Sequence, residues 1–115
     1  MRDLSYFSKI FLAVKPVDFR KQAHGLGIVV TESLKLPLIS EKTLFAFTNR
    51  NRTAAKLLHW DGTGFALWWK VLERDRFKWP KDQNEVKQLQ SKDLKWLLDG
   101  VDLKAIKKHE KLTFT

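Results

Sequence analysis

Three observations predict an α+β fold: a single domain with a mostly antiparallel sheet of four or five strands and helices packed on one face. Apolar, aromatic runs of strand length fill the chain from Thr43 to Pro80. Two tight-turn signals punctuate them, the polar tip Asn49-Arg50-Asn51-Arg52-Thr53 and the stretch Asp61-Gly62-Thr63-Gly64, whose glycines can take the positive φ a hairpin needs. Segments of helical period flank this region on both sides. At 115 residues, 43% of them hydrophobic, the chain has the size of one domain with one core, spanning 1–115.

Each element has its own signal. Lys9 to Val14 reads as a first strand, which Pro16 breaks. Asp18 is then placed as the N-cap of a helix to about Leu34, in which Phe19, Ala23, Leu26, Val30 and Leu34 recur at helical spacing and Gly25 and Gly27 are weak points. Pro37 ends that segment. Strands follow at Thr43–Thr48, Ala54–Trp60, Phe65–Glu73 and Arg76–Trp79, and Pro80 stops the ladder. Ser91 is the expected N-cap of a helix over Lys92–Asp99, with Leu94, Leu97 and Leu98 on one face and Gly100 as its stop. Asp102 is placed at a short second helical turn through Lys107, and the Lys-rich tail over 104–115 is expected to be loosely held.

Folding the chain about Asp61–Gly64 pairs Trp60 with Phe65 and sorts the aromatics by alternation. Leu58, Trp60, Phe65, Leu67, Trp69 and Val71 share one face, the core candidate. Leu57, His59, Ala66, Trp68, Lys70 and Leu72 share the other, either a second buried layer or an exposed aromatic and basic platform for stacking.

The chain carries 22 Lys and Arg against 13 Asp and Glu, a formal charge of +9, which favours polyanionic partners. It has no cysteine, which excludes disulfide scaffolds, thiolate metal sites and thiol nucleophiles and suits a cytoplasmic protein. The apolar run Ile10 to Val14 is too short for a signal h-region or a membrane span, so no membrane association is expected. His24, His59 and His109 lack metal-site spacing, and the glycine-rich turn matches no phosphate-loop pattern. The scattered acids read as caps, turns and charged strand ends. Hence no catalytic residue, metal or cofactor is assigned.

The basic constellation is denser. Arg50 and Arg52 place two guanidinium groups beside two amides at a hairpin tip, able to straddle a phosphate backbone, and Arg74, Arg76 and Lys78 form a second row at the next turn. Exposed hairpin ends are also basic simply to stay soluble and to blunt edge pairing. The tail cluster of Lys104, Lys107, Lys108, His109 and Lys111 either contacts phosphates or solvates an end.

The stretch HWDGTGFALWWKVLERDRFKWP, preceded by LFAFTNRNR and VDFRKQAHGLGIVV and followed by LLDGVDL, resembles the small TnpB-type accessory protein of the insertion-sequence sixty-six transposon family. That family is distinct from the RNA-guided nucleases sharing the name. The chain departs from the family pattern at Thr53-Ala54-Ala55, where a charged stretch is usual, and at Phe19, where Met is usual. The resemblance implies a bacterial mobile-element protein that assists a separate DDE-type transposase without performing strand transfer itself. Two roles are then expected. One is DNA binding, to transposon ends or target, through Arg50, Arg52, Lys56, Lys70, Arg74, Arg76 and Lys78; the other is an adaptor that docks on the transposase through Trp68.

Overall fold

The computed structural model describes residues 3–104. After a 3₁₀ turn at Leu4–Tyr6 the chain forms β1 (Lys9–Ala13), α1 (Ala23–Ile28), β2 (Thr43–Thr48), β3 (Ala54–Trp60), β4 (Phe65–Val71), β5 (Val86–Leu89) and α2 (Ser91–Leu98). The five strands make one sheet in the order β4-β3-β2-β1-β5. All its pairings are antiparallel except β1 with β2, which run parallel and are joined through α1. The α+β class and the mostly antiparallel sheet are as the sequence predicts.

β2 and β3 are central, and every residue from Thr43 to Thr48 and from Ala54 to His59 is buried. That explains their nearly unbroken apolar sequence, because a strand covered on both faces needs no polar alternation. The two faces carry separate clusters. Leu26, Val30 and Leu34 from α1 and the turn after it pack on Ala13, Phe45, Phe47 and Leu58. On the opposite face, Leu94, Leu97 and Leu98 from α2 pack on Ile10, Leu12, Leu44, Ala46, Ala55 and Leu57. The helices therefore divide between the two faces and do not share one, since both strand alternations inside β1 to β3 are apolar and both need cover. Each large side chain buried this way contributes roughly 1.5–3 kcal/mol.

Several boundaries differ from expectation, β4 among them, which ends at Val71 and not Glu73. Asp18 caps no helix: its carboxylate accepts from the Arg20 backbone N–H, a local turn absorbs 18–21, and α1 begins only at Ala23. α1 then continues as a π-helical turn over Val29–Ser33, closed by Leu34 N–H donating to Val29 O, and Lys35 leaves the helix with φ 55°. Arg76–Trp79 is no strand. Asp75 turns the chain away from β4 with φ 66°, and the segment crosses the α2 face unpaired, with Phe77 and Trp79 buried and Arg76 and Lys78 exposed. A period-two pattern arose there from one buried side alone.

Two anchors hold that crossing. The Phe77 N–H donates to Arg52 O at 2.8 Å, and the Trp79 indole Nε1–H donates to Ala13 O at 2.9 Å. Trp79→Phe keeps an aromatic ring at this buried position, though a smaller one, and leaves the Ala13 carbonyl without that donor. A stability loss of about 1–2 kcal/mol is expected in urea unfolding; an unchanged midpoint would show that the anchor contributes nothing.

The turns follow their chemistry closely. Gly62 has φ 100° at the first central position of the Asp61–Gly64 turn, and the Asp61 carboxylate accepts from the N–H groups of Thr63 and Gly64. These hydrogen bonds hold the Asp61 carboxyl below its ordinary range. Trp60 pairs with Phe65, as expected. α2 starts one residue earlier than predicted, with the buried Asp93 carboxylate accepting from the Gln90 N–H. It ends at Leu98, one residue short of the expected Asp99, with Gly100 as the expected stop: Gly100 has φ 86°, its N–H donates to Leu97 O, and the Val101 N–H donates to Trp96 O.

Candidate nucleic-acid interface

The tip between β2 and β3 is built by Asn49. Its side-chain oxygen accepts from the N–H groups of Thr53 and Ala54, and its amide donates to the Thr53 hydroxyl. Arg52 closes the turn in the left-handed region, φ 59°, with its N–H donating to Asn49 O. Arg50 is thereby left exposed at the apex, while Arg52 is half-buried and leans toward the 76–81 segment that its own carbonyl holds. Beside the tip, Asp18 is neutralised by Arg20 through a bidentate ion pair, which pulls its carboxyl down to about 2. An ionised Asp18 therefore coexists with the tip without adding uncompensated negative charge.

Arg52 lines a cleft of about 390 Å³ together with Arg76, Lys78, Lys81, Lys87 and Lys104. The buried rings of Phe77 and Trp79 contribute to its wall, and Asp102 is the one acid among its lining residues. These cations come from four separate parts of the chain: the tip, the crossing segment, β5 and the turn after α2. Converging like charges repel, and an anion seated among them relieves that repulsion. A larger hollow of about 720 Å³, between β5 and α2, has Lys92 and Asp93 in its lining and gathers no charge of one sign.

The residues expected to bind DNA fall into two groups. Arg50, Arg74, Arg76 and Lys78 are exposed, with Lys78 lying 3.6 Å from Asp75, and Arg52 joins the cleft. Lys56 and Lys70 are structural. Lys56 is fully buried, and its Nζ donates to Phe19 O at 2.9 Å and Lys21 O at 2.8 Å. It also lies 4.9 Å and 4.7 Å from the ring centres of Phe19 and Trp69. Burial pushes its ammonium below the ordinary lysine range, partly opposed by Asp18. Facing Phe47 and Trp69 across the sheet, Lys56 ties the 18–22 loop to the α1 face and has no reach to a phosphate. Lys70 donates to Leu98 O at 2.9 Å, placing its charge at the C-terminal end of α2, where it is favoured.

Trp68, expected to be the exposed partner contact, is half-buried and packs with Leu72 on the α2-side cluster. The open aromatic is its neighbour Trp69, 54% exposed and flanked along β4 by exposed Phe65 and Val71. The face assigned as core is thus the more open one at β4: Leu67 packs on the α1-side cluster and Trp69 meets the Phe19 ring, while Phe65, Trp69 and Val71 stay exposed. His59, on the other face, is buried with its ring edge-on to Phe7 at 4.8 Å.

Sequence reasoning missed Lys81 and Lys87 as site residues and left Lys104, in the tail cluster, open between phosphate contact and solvation. Lys87 lies in β5, a strand not predicted, and Lys81 follows a proline that was read only as a stop. Lys107, Lys108, His109 and Lys111 lie outside the described residues. Among the described residues no group of three His, Asp or Glu side chains is placed to hold a metal ion, and no helix is long and apolar enough to cross a membrane.

The described residues thus form a small α+β unit that carries a basic cleft. The family model for the IS66 Orf2-like proteins (TnpB_IS66) matches residues 8–108, and the chain belongs to that family. Membership associates it with an IS66 transposition system and suggests an accessory role there. It is 34% identical over 95 residues to the uncharacterized protein y4hO of Sinorhizobium fredii (strain NBRC 101917 / NGR234), covering 82% of this chain and 81% of that protein. It is 28% identical over 101 residues to the uncharacterized protein y4jC of the same strain, covering 87% and 85%. No solved structure matches the chain significantly.

Proposed function

We propose that this protein is a cytoplasmic, non-catalytic DNA-binding subunit that helps a separate transposase assemble on the DNA of its element. The observation that carries the reading is the cleft, where Arg52, Arg76, Lys78, Lys81, Lys87 and Lys104 converge around one acid. Cations at that density suit consecutive phosphates of a backbone, and Arg50 at the adjoining tip extends the contact toward a groove. Phosphate contacts of this kind position a duplex without reading its sequence. Any preference for transposon ends then comes from the exposed tip amide of Asn51 or from the shape of the DNA.

The test is fluorescence anisotropy of the purified protein against a labelled transposon-end duplex and a scrambled duplex, at low and near-physiological salt. Binding to both that weakens steeply with salt, with the end sequence retained longer, is the expected result. Failure to bind either duplex at low salt overturns the reading and leaves the cleft as solvated surface.

A further inference from the structure

β4 is an edge strand, and nothing among the described residues pairs with its outer side. It is also an unguarded edge. Natural sheets blunt such edges with short strands, charges, prolines or bulges. The opposite edge, β5, is of that kind, four residues long with Lys87 and Gln88 at its centre. β4 is seven residues long, FALWWKV, and its one charge, Lys70, is turned to the α2 face and bound to Leu98 O.

Hydrogen-bond phase decides which groups the edge offers. Leu72 N–H donates to Thr53 O, and Asp61 N–H donates to Gly64 O, so the residues at 64, 66, 68, 70 and 72 direct their backbone inward to β3. Phe65, Leu67, Trp69 and Val71 therefore direct theirs outward. Of these, Phe65, Trp69 and Val71 also present a stripe of exposed apolar side chains on the α1 face, Trp69 54% and Val71 58% exposed, while Leu67 is half-buried against the α1-side cluster. Unpaired backbone and uncovered apolar side chains coincide on one strand.

We infer that β4 pairs antiparallel with β4 of a second copy of this chain, about a two-fold axis at Trp68, to make a continuous ten-stranded sheet. With that axis Phe65 lies opposite Val71 of the second copy and Leu67 opposite its Trp69. All four outward residues of each copy fall in hydrogen-bonded pairs, giving about eight bonds by the antiparallel pattern. A one-residue slip would set outward groups against inward ones, and a two-residue slip would leave a pair unmatched at one end. Charges agree with the same register. Lys70 faces Ala66 of the second copy, so no like charges oppose, and Arg74 faces Gly62 next to the ionised Asp61. The stripe becomes an isologous contact, the geometry closed dimers use. A nucleic acid could stack on Trp69 but would leave the outward N–H and C=O row unanswered, so a second copy fits better. A two-fold normal to the sheet keeps both basic clefts on one face of the assembly. The pairing does not depend on DNA binding and is tested without DNA.

Sedimentation equilibrium of the full chain, up to about 100 μM to include weak interfaces, should give twice the 13.5 kDa monomer mass. Val71→Lys, at a site exposed in the monomer, should keep the circular dichroism of the wild type and sediment as a monomer. Trp68→Cys, the only thiol in an otherwise cysteine-free chain, should cross-link to a disulfide dimer on mild oxidation. The two Cα atoms would lie about 4.5 Å apart in a non-hydrogen-bonded pair, within disulfide reach. A wild type that stays monomeric overturns the inference; if single-stranded oligonucleotide then quenches Trp fluorescence in wild type and not in Trp69→Ala, the stripe belongs to unpaired bases. A dimer that survives Val71→Lys, or one in which Trp68→Cys does not cross-link, overturns it as well by placing the interface or register elsewhere.

Discussion

Glutamine at Arg76, Lys78 and Lys81 together should weaken duplex binding most at low salt and lower the slope of log K against log salt by about 3, near 0.9 for each phosphate no longer neutralised. The gap from wild type should then shrink about 40-fold between about 50 and 200 mM salt, because the deleted charges are those whose effect salt already suppresses. All three side chains are exposed, so the substitutions should leave the fold intact. Removing the same charge at exposed Lys9, Lys35 and Lys42, none of which lines the cleft, separates a seat for phosphate from a general basic field. Equal weakening in the two triple variants would mean that net charge alone drives binding and that the cleft has no special standing.

The second large effect concerns stability. Lys56→Ala should cost about 3–4 kcal/mol in urea unfolding, since it opens a cavity among Phe19, Phe47 and Trp69 and strips two carbonyls of their donor. Lys56→Met restores the volume but not the donors, and should cost about 1–3 kcal/mol. The pH dependence has a definite sign. Burial lowers the folded-state pKa of Lys56 below its ordinary 10.5. Below the folded pKa both states are protonated and the full penalty of the buried charge is present; between the two values the unfolded chain holds more protons, so stability rises with pH and the penalty is gone above 10.5. Wild type should therefore gain on Lys56→Met as pH climbs toward 10.5. A methionine variant as stable as wild type at neutral pH would show that desolvation fully offsets the ammonium's hydrogen bonds.

The sheet's centre was legible because its signals are local. Glycine and asparagine mark the two hairpins, and the strands between them have the right length, so β2, β3 and the Trp60–Phe65 pairing follow from sequence. β5 was not legible. Val86-Lys87-Gln88-Leu89 is short and half polar, and only its pairing with β1 makes it a strand. Lys56 shows the limit for sites. By type it belongs with the surface cations, and nothing nearby in sequence announces that Phe19 O and Lys21 O, more than thirty residues earlier, will receive its charge. The cleft was half legible. Arg52, Arg76 and Lys78 stand out as basic tips, whereas Lys81, Lys87 and Lys104 join them only once Trp79 anchors the crossing segment beneath Ala13.

The placement of β1 between β2 and β5 has a kinetic consequence. β2, β3 and β4 form a meander of neighbours in sequence, with short loops that close quickly. β1 emerges first from the ribosome yet must wait for both of its neighbours, and β5 follows it by roughly seventy residues, about 4–15 s at ordinary rates of synthesis. Until then one edge of β1 and the apolar flank beneath α2 lie open. The nascent chain thus completes its sheet from the β4 side toward β5, and the last strand to arrive is the one that brings Lys87 to the cleft.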